Sequence, residues 1–198
     1  EGIPGVATPA GAAALLEAGR FPNAEPVARM DDLPLPDDSD YFEQFAASRF
    51  AGRWTPGLFV ETARGCSWGE KSHCTFCGLN GTSMAFRSKS PGRALAELRG
   101  VTSRHPDSDL QVVDNILDTR YFESVLPELA KSPPRSPVFW ETKSSLRKEQ
   151  VRLLAEAGVT RIQPGIESLS DSVLRLMRKG VTALQNVQLL KWCRELGV

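Results

Sequence analysis

The chain has 198 residues, is 41% hydrophobic, and balances 24 Lys and Arg against 24 Asp and Glu. That length supports one domain with a sizeable core, and a net charge of zero argues against bulk nucleic-acid binding, because no basic excess exists to neutralise phosphates. No apolar run approaches a membrane span, no stretch reads as a signal peptide, and a cysteine triplet beside an odd fourth argues against a secreted disulfide framework, so a reducing cytoplasm is the expected location.

In chain order, residues 1–29 show little periodicity, apart from a short helix predicted over Ala10–Gly19 and closed by its glycine. Residues 31–40 are acidic and carry Pro34 and Pro36, which block helix and central-strand pairing. They read as a linker or equally as a surface loop. Tyr41, Phe42, Phe45 and Phe50 suit a short helix docked on the next domain. From Leu58 onward, strand and helix alternate. A strand over Leu58–Glu61 leads into a cysteine loop. A helix begins at Pro91, with Ser90 as its N-cap. A second strand covers Leu110–Ile116, a helix Arg120–Lys131, a third strand Val138–Thr142, and a helix Arg147–Ala157 closed by Gly158. A fourth strand covers Arg161–Ile166, with Pro164 marking a bulge or its end. Ser170 or Asp171 caps a short helix to Lys179. Thr182 and Gln185 form a capping box for a last helix that ends at Gly197. Strand–helix alternation with short links predicts an α/β fold with a parallel sheet. The chain opens at Glu1 without Met and stops just after a helix-closing glycine, so it reads as a fragment cut at both ends.

The cysteines are the centre of the chemistry. Cys66, Cys74 and Cys77 are spaced C-x7-C-x2-C, with glycines at 65, 69, 78 and 81 around them. Three thiolates without an obvious fourth suit a cubane iron–sulfur cluster with one iron left open. Zinc would need a fourth ligand, from His73 or the distant Cys193. Three metal-free buried thiols fit a charged, glycine-rich loop poorly. Cys193 lies in a helical pattern and reads as packing. The Gly78–Gly81 stretch lacks the pattern of a phosphate loop.

Ligands of parallel α/β sheets bind at the carboxyl ends of strands. The polar residues there are Asp114 and Asn115, then Glu141 and Lys143, then Gln163, Glu167 and Ser168. Both signs of charge on one rim suit a zwitterionic ligand. Glu141 and Lys143 share a strand face and could simply pair with each other. Glu167 and Ser168 could cap the following helix. Arg175, Arg178 and Lys179 could form a solvated helix face.

The block ETARGCSWGEKSHCTFCGLNG, with an aromatic just before its last cysteine, resembles the radical S-adenosylmethionine (radical SAM) superfamily, although its first gap is longer than the common C-x3-C. Together with IQPGIESLSDSVLRLMRKGVTALQNVQLLKWCRELG, it resembles the cobalamin-dependent subgroup that matures ribosomally made peptides, regarded as peptide C-methyltransferases. The resemblance covers roughly residues 30–198. It implies a partial (β/α)6 barrel, truncated here to about the first four β/α units, with residues 51–198 forming the N-terminal part of the radical SAM core. Residues 1–50 would be the linker or tail of an N-terminal cobalamin-binding domain, whose D-x-H-x-x-G motif is absent from this chain. It implies a [4Fe-4S] cluster on Cys66, Cys74 and Cys77, which are thereby both metal ligands and catalytic. It implies bound S-adenosylmethionine, with the backbone near Phe76 facing the adenine, Glu167 and Ser168 at the ribose, and Lys143 or Arg175 neutralising the carboxylate. Asp114 and Asn115 stand where many relatives carry a Gly-Gly-Glu-like amino-group motif, in different wording. Cobalamin would belong to the full-length protein. A precursor peptide is the implied substrate, and a flavodoxin or ferredoxin the implied electron donor. The alternatives are another radical peptide modification, such as epimerisation or crosslinking, or a zinc-stabilised peptide-binding module. The chain alone is expected to be inactive in methylation.

Overall fold

The computed structural model describes residues 6–19, 24–78 and 84–198. Gly81 of the cysteine loop lies outside them. Two short helices, α1 (Ala12–Ala18) and α2 (Ser39–Ala47), precede the sheet. β1 (Gly57–Val60) leads into a ribbon of β2 (Ala63–Arg64) paired antiparallel with β3 (Arg87–Ser88), which closes the base of the cysteine loop. Strands of two residues leave no periodicity to read in the sequence. α3 (Pro91–Arg104) begins as predicted: the Ser90 hydroxyl accepts from the Arg93 N–H, and Pro91 occupies the first helical position.

β4 (Asp109–Val112) is shorter than the predicted strand. Its neighbour β1 ends at Val60, and the last bond across the pair is Val113 N–H to the Val60 carbonyl. Beyond it Asp114 turns inward instead of pairing. The predicted helix over Arg120–Lys131 is a 3-10 turn, Thr119–Phe122, followed by α4 (Val125–Ala130). Pro127 is the reason: it lacks an N–H, and its ring excludes a helical carbonyl at Glu123, so it is accepted only within the first turn. β5 (Val138–Thr142) and α5 (Lys148–Glu156) fall where the sequence puts them. β6 (Val159–Pro164) ends at its proline on the sheet edge, where a missing N–H is tolerated. α6 (Asp171–Leu176) stops three residues before the predicted Lys179, and α7 (Ala183–Leu196) carries the predicted Thr182–Gln185 capping box.

β1, β4, β5 and β6 are parallel neighbours in that order. The order never reverses, as it would in a doubly wound sheet, and matches successive units of a β/α barrel. The fold is therefore α/β, with the first four units of a partial barrel. One face of the sheet buries Leu58, Val60, Leu110, Val112, Val138 and Trp140 against Leu98 and Val101 of α3, Val125, Leu126 and Leu129 of α4, and Leu154 of α5. The other face carries the row Phe59, Gln111, Phe139 and Arg161, and Phe59 is 69% exposed.

The segment before the sheet is tied to this core. Met30 is buried. The Asp31 carboxylate accepts from the Ser90 N–H at 2.7 Å, and Arg93 donates to the Leu33 carbonyl at 2.6 Å. Phe42 of α2 stacks on His105, with centroids 3.8 Å apart.

Candidate functional site

A cavity of about 200 Å³ opens at the carboxyl ends of the strands. Cys66, Cys74, Cys77, Trp68 and Phe76 line it from the cysteine loop. Asn115, Glu141, Lys143, Gln163 and Glu167 line it from the strand ends, and Lys179 from the turn after α6.

The loop reaches this position through its own backbone. Gly65 has φ +85, and a Cβ there would lie 2.1 Å from the Ala85 carbonyl oxygen, so only glycine fits. The Cys66 N–H donates to the Met84 carbonyl at 3.2 Å, and the Glu70 carboxylate accepts from the Phe86 N–H at 2.7 Å. These bonds close the loop's base. Inside it, the Gly69 N–H points at the Cys66 sulfur at 3.3 Å, and the Cys77 N–H donates to the Cys74 carbonyl.

The three thiols influence one another. Burial pushes the Cys74 thiol up, Lys179 and Lys143 pull it down, and Cys66 and Cys77 add to the upward push. Burial also lowers the Lys143 ammonium to about 8 and raises the Glu141 carboxyl. Lys143 and Glu141 form no ion pair; the Lys143 nitrogen instead sits over the Trp68 ring, 3.1 Å from its centroid.

Three predicted residues stand elsewhere. Asp114 is fully buried behind the cavity. Its carboxylate accepts from the Thr62 N–H and hydroxyl, the Ala63 N–H at 2.8 Å, and the Trp140 indole N–H at 3.0 Å. With four donors on two oxygens, it anchors the chain between β1 and the cysteine loop. The Ser168 hydroxyl accepts from the Ser170 N–H, and its carbonyl accepts from Asn186. Arg175 lies on the exposed side of α6, in a shallow depression on the other side of Trp68.

Three residues escape a sequence reading. Lys179 reads as part of a solvated run, yet α6 ends early and Arg178 adopts φ 55, which turns Lys179 inward. It is 9% exposed, 3.3 Å from the Glu167 carboxylate and 5.6 Å from the Phe76 ring centroid. Trp68 carries only one signal in the sequence, an aromatic within the long first gap. Asn186, also unforeseen, is buried on α7, and its amide donates to the Ile166 and Ser168 carbonyls, which holds the turn bearing Glu167.

The donor set fits an iron–sulfur cluster. In such a cluster each thiolate meets its own iron, and here three thiols share one cavity wall. A structural zinc requires its ligands to converge on one ion. His73 is engaged with the Cys77 carbonyl at 2.9 Å, and Cys193 is packed between α5 and α7.

Fold and site together define a barrel-type α/β protein with a thiol-lined, charge-bearing cavity at its strand ends. A family model for the Radical SAM superfamily matches residues 60–198, and the chain belongs to that superfamily. Membership implies an iron–sulfur cluster and S-adenosylmethionine. The chain is 21% identical over 192 residues to "Uncharacterized methyltransferase PH0819" of Pyrococcus horikoshii, covering 92% of this chain and 39% of that protein. It is 25% identical over 174 residues to the hopanoid C-3 methylase of Methylococcus capsulatus, covering 85% of this chain and 32% of that one. The chain thus spans well under half the length of these relatives. In fold it resembles the cobalamin-dependent S-adenosylmethionine radical enzyme OxsB with aqua-cobalamin bound, with a TM-score of 0.70 at 21% identity over 90% of this chain and 27% of that one. The OxsB structure that also holds S-adenosylmethionine gives 0.67.

Proposed function

We propose that this chain is the S-adenosylmethionine-cleaving core of a cobalamin-dependent radical methyltransferase that acts on a ribosomally made precursor peptide. The observation that carries the proposal is the single cavity shared by the three cysteines and the charged residues at the strand ends. Held by Cys66, Cys74 and Cys77 and reduced by a flavodoxin- or ferredoxin-like donor, a [4Fe-4S] cluster would supply one electron to the sulfonium of S-adenosylmethionine, yielding methionine and a 5′-deoxyadenosyl radical that takes hydrogen from an unactivated carbon.

The chain's residues bind and orient. Lys143 and Lys179 offer positive charge to the ligand's carboxylate. Glu167 and Glu141 offer acceptors to its hydroxyls and amine, and Phe76 offers a flat apolar contact to its adenine. Lys179 is buried, which strengthens its charge contact by keeping water out, whereas Phe76 and Glu167 stay open to the cavity mouth. The methyl-transfer half of the proposal is supported by the names of two relatives, and cobalamin by the likeness to OxsB. Both belong to the longer protein. The peptide substrate rests on the resemblance of the cysteine block and the IQPGIES block.

The test is anaerobic reconstitution with iron and sulfide. About four irons per chain are expected, with a reduced-cluster EPR signal that shifts on adding S-adenosylmethionine, and Cys→Ala at 66, 74 or 77 abolishing both. Zinc without iron would overturn the proposal. In the full-length protein, peptide modification that persists without cobalamin would overturn the methyl-transfer half alone.

A further inference from the structure

The first gap of the cysteine motif is seven residues long, and Trp68 stands within it. Its indole N–H donates to the Arg178 carbonyl at 3.0 Å. Its ring lies against Gly180, where a Cβ would come within 2.2 Å of the ring carbons. Gly180 has φ +64, so the left-handed backbone disfavours a side chain there in addition to the ring. Two further bonds run to the same turn from the other side of Cys74. The Thr75 N–H donates to the Met177 carbonyl, and the Thr75 hydroxyl to the Leu176 carbonyl, each at 3.2 Å. The cysteine loop therefore hangs on the 176–180 turn as well as on its own base. That turn also delivers Lys179 to Glu167 at 3.3 Å.

We infer that Trp68, seated on Gly180 and the Arg178 carbonyl, is the positioning residue of the cysteine loop. It fixes the three thiols relative to the Lys179–Glu167 wall of the cavity, and the long first gap exists to reach that seat. A glycine-rich loop held only at its base samples many arrangements, whereas a reaction that spans loop and wall needs one, since small misplacements are costly. The consequence for chemistry rests on the proposed function; the placement of the loop does not.

Gly180→Ala forces Trp68 from its seat. In the metal-free chain, iodoacetamide alkylation is followed cysteine by cysteine by mass spectrometry. Cys66 and Cys74 are expected to react roughly tenfold faster in the variant, by local opening, while Cys193, buried between α5 and α7, keeps its rate. Trp68→Phe keeps most of the ring, loses the N–H, and is expected to give a smaller rise. Unchanged rates in both variants would overturn the inference. So would an equal acceleration of Cys193, because Gly180 would then be holding the whole fold. These readouts need no iron, so they are independent of the metal assignment. After reconstitution, Gly180→Ala is expected to hold as much iron as the wild type but to lose the EPR shift caused by S-adenosylmethionine. A full shift would overturn the positioning role, whereas a wild-type chain without iron would instead overturn the proposed function.

Discussion

At the scale of single residues, Asp114 shows how a polar side chain at a strand end becomes structural. Burial pushes its carboxyl from the ordinary 3.8 up to about 6, even with four donors around it. The folded chain therefore keeps this proton between about pH 4 and 6, where the unfolded chain has released it. The stability this group contributes is fully present below about pH 4 and is lost as pH rises through 6, by roughly 3 kcal/mol. Urea unfolding across that window should show the slope in the wild type and lose it in Asp114→Asn. The variant also sets an amide N–H against the Trp140 or Thr62 donor, which costs about 1–3 kcal/mol at neutral pH. Equal slopes in the two chains would dismiss the assignment. The sequence places Asp114 near the site but does not show which way it faces. Its partners are Thr62, just after β1, and Trp140 on β5, so the direction is decided only when β4 pairs between those two strands.

At the scale of elements, α3 is fixed to the ribbon beside the cysteine loop by a buried ion pair. Lys89 and Glu97 are 3% and 1% exposed and 2.5 Å apart. The Tyr121 hydroxyl donates to the Lys89 carbonyl at 2.8 Å, which ties in the turn before α4. Removing Glu97 leaves the Lys89 ammonium buried and unpaired, and also takes away the carboxylate 3.8 Å from Arg93. Glu97→Ala should destabilise the chain by about 3–5 kcal/mol, whereas the double change Lys89→Met with Glu97→Leu should recover most of that loss. Denaturant midpoints of the three chains measure this, and a double variant no better than the single one would contradict it. The caps of α3 and α7 and the span of β5 were legible because local chemistry determines them. The break before α4 was missed, since one helix was expected over Arg120–Lys131 although Pro127 marks the break, and the early end of α6 was hidden because a left-handed Arg178 has no sequence signature.

At the scale of the whole molecule, the cavity joins one loop, three strand ends and one turn, so a ligand within it links elements that otherwise meet only through the sheet. A ligand bound only by the folded state adds RT ln(1 + [L]/Kd), about 2.7 kcal/mol at a hundredfold excess over Kd. For a chain of this size that corresponds to a rise in Tm of roughly 5–10 °C. Reconstituted chain heated anaerobically with S-adenosylmethionine should show the rise, and Cys74→Ala should not. An equal rise in both would place the ligand outside the cysteine cavity.

The sequence by itself determined the α/β alternation, the cysteine triplet and its place after the first strand, because periodicity, caps and ligand spacing are local properties of the chain. Only the tertiary structure decided which charges face the cavity. Lys179 turns in, Arg175 stays out, Asp114 is consumed by the backbone at Thr62 and Ala63 just after β1, and Trp68 finds a seat more than a hundred residues away at Gly180. Those outcomes depend on which elements become neighbours when the parallel strands pair in sequential order, and the spacing of residues along a single chain does not encode that.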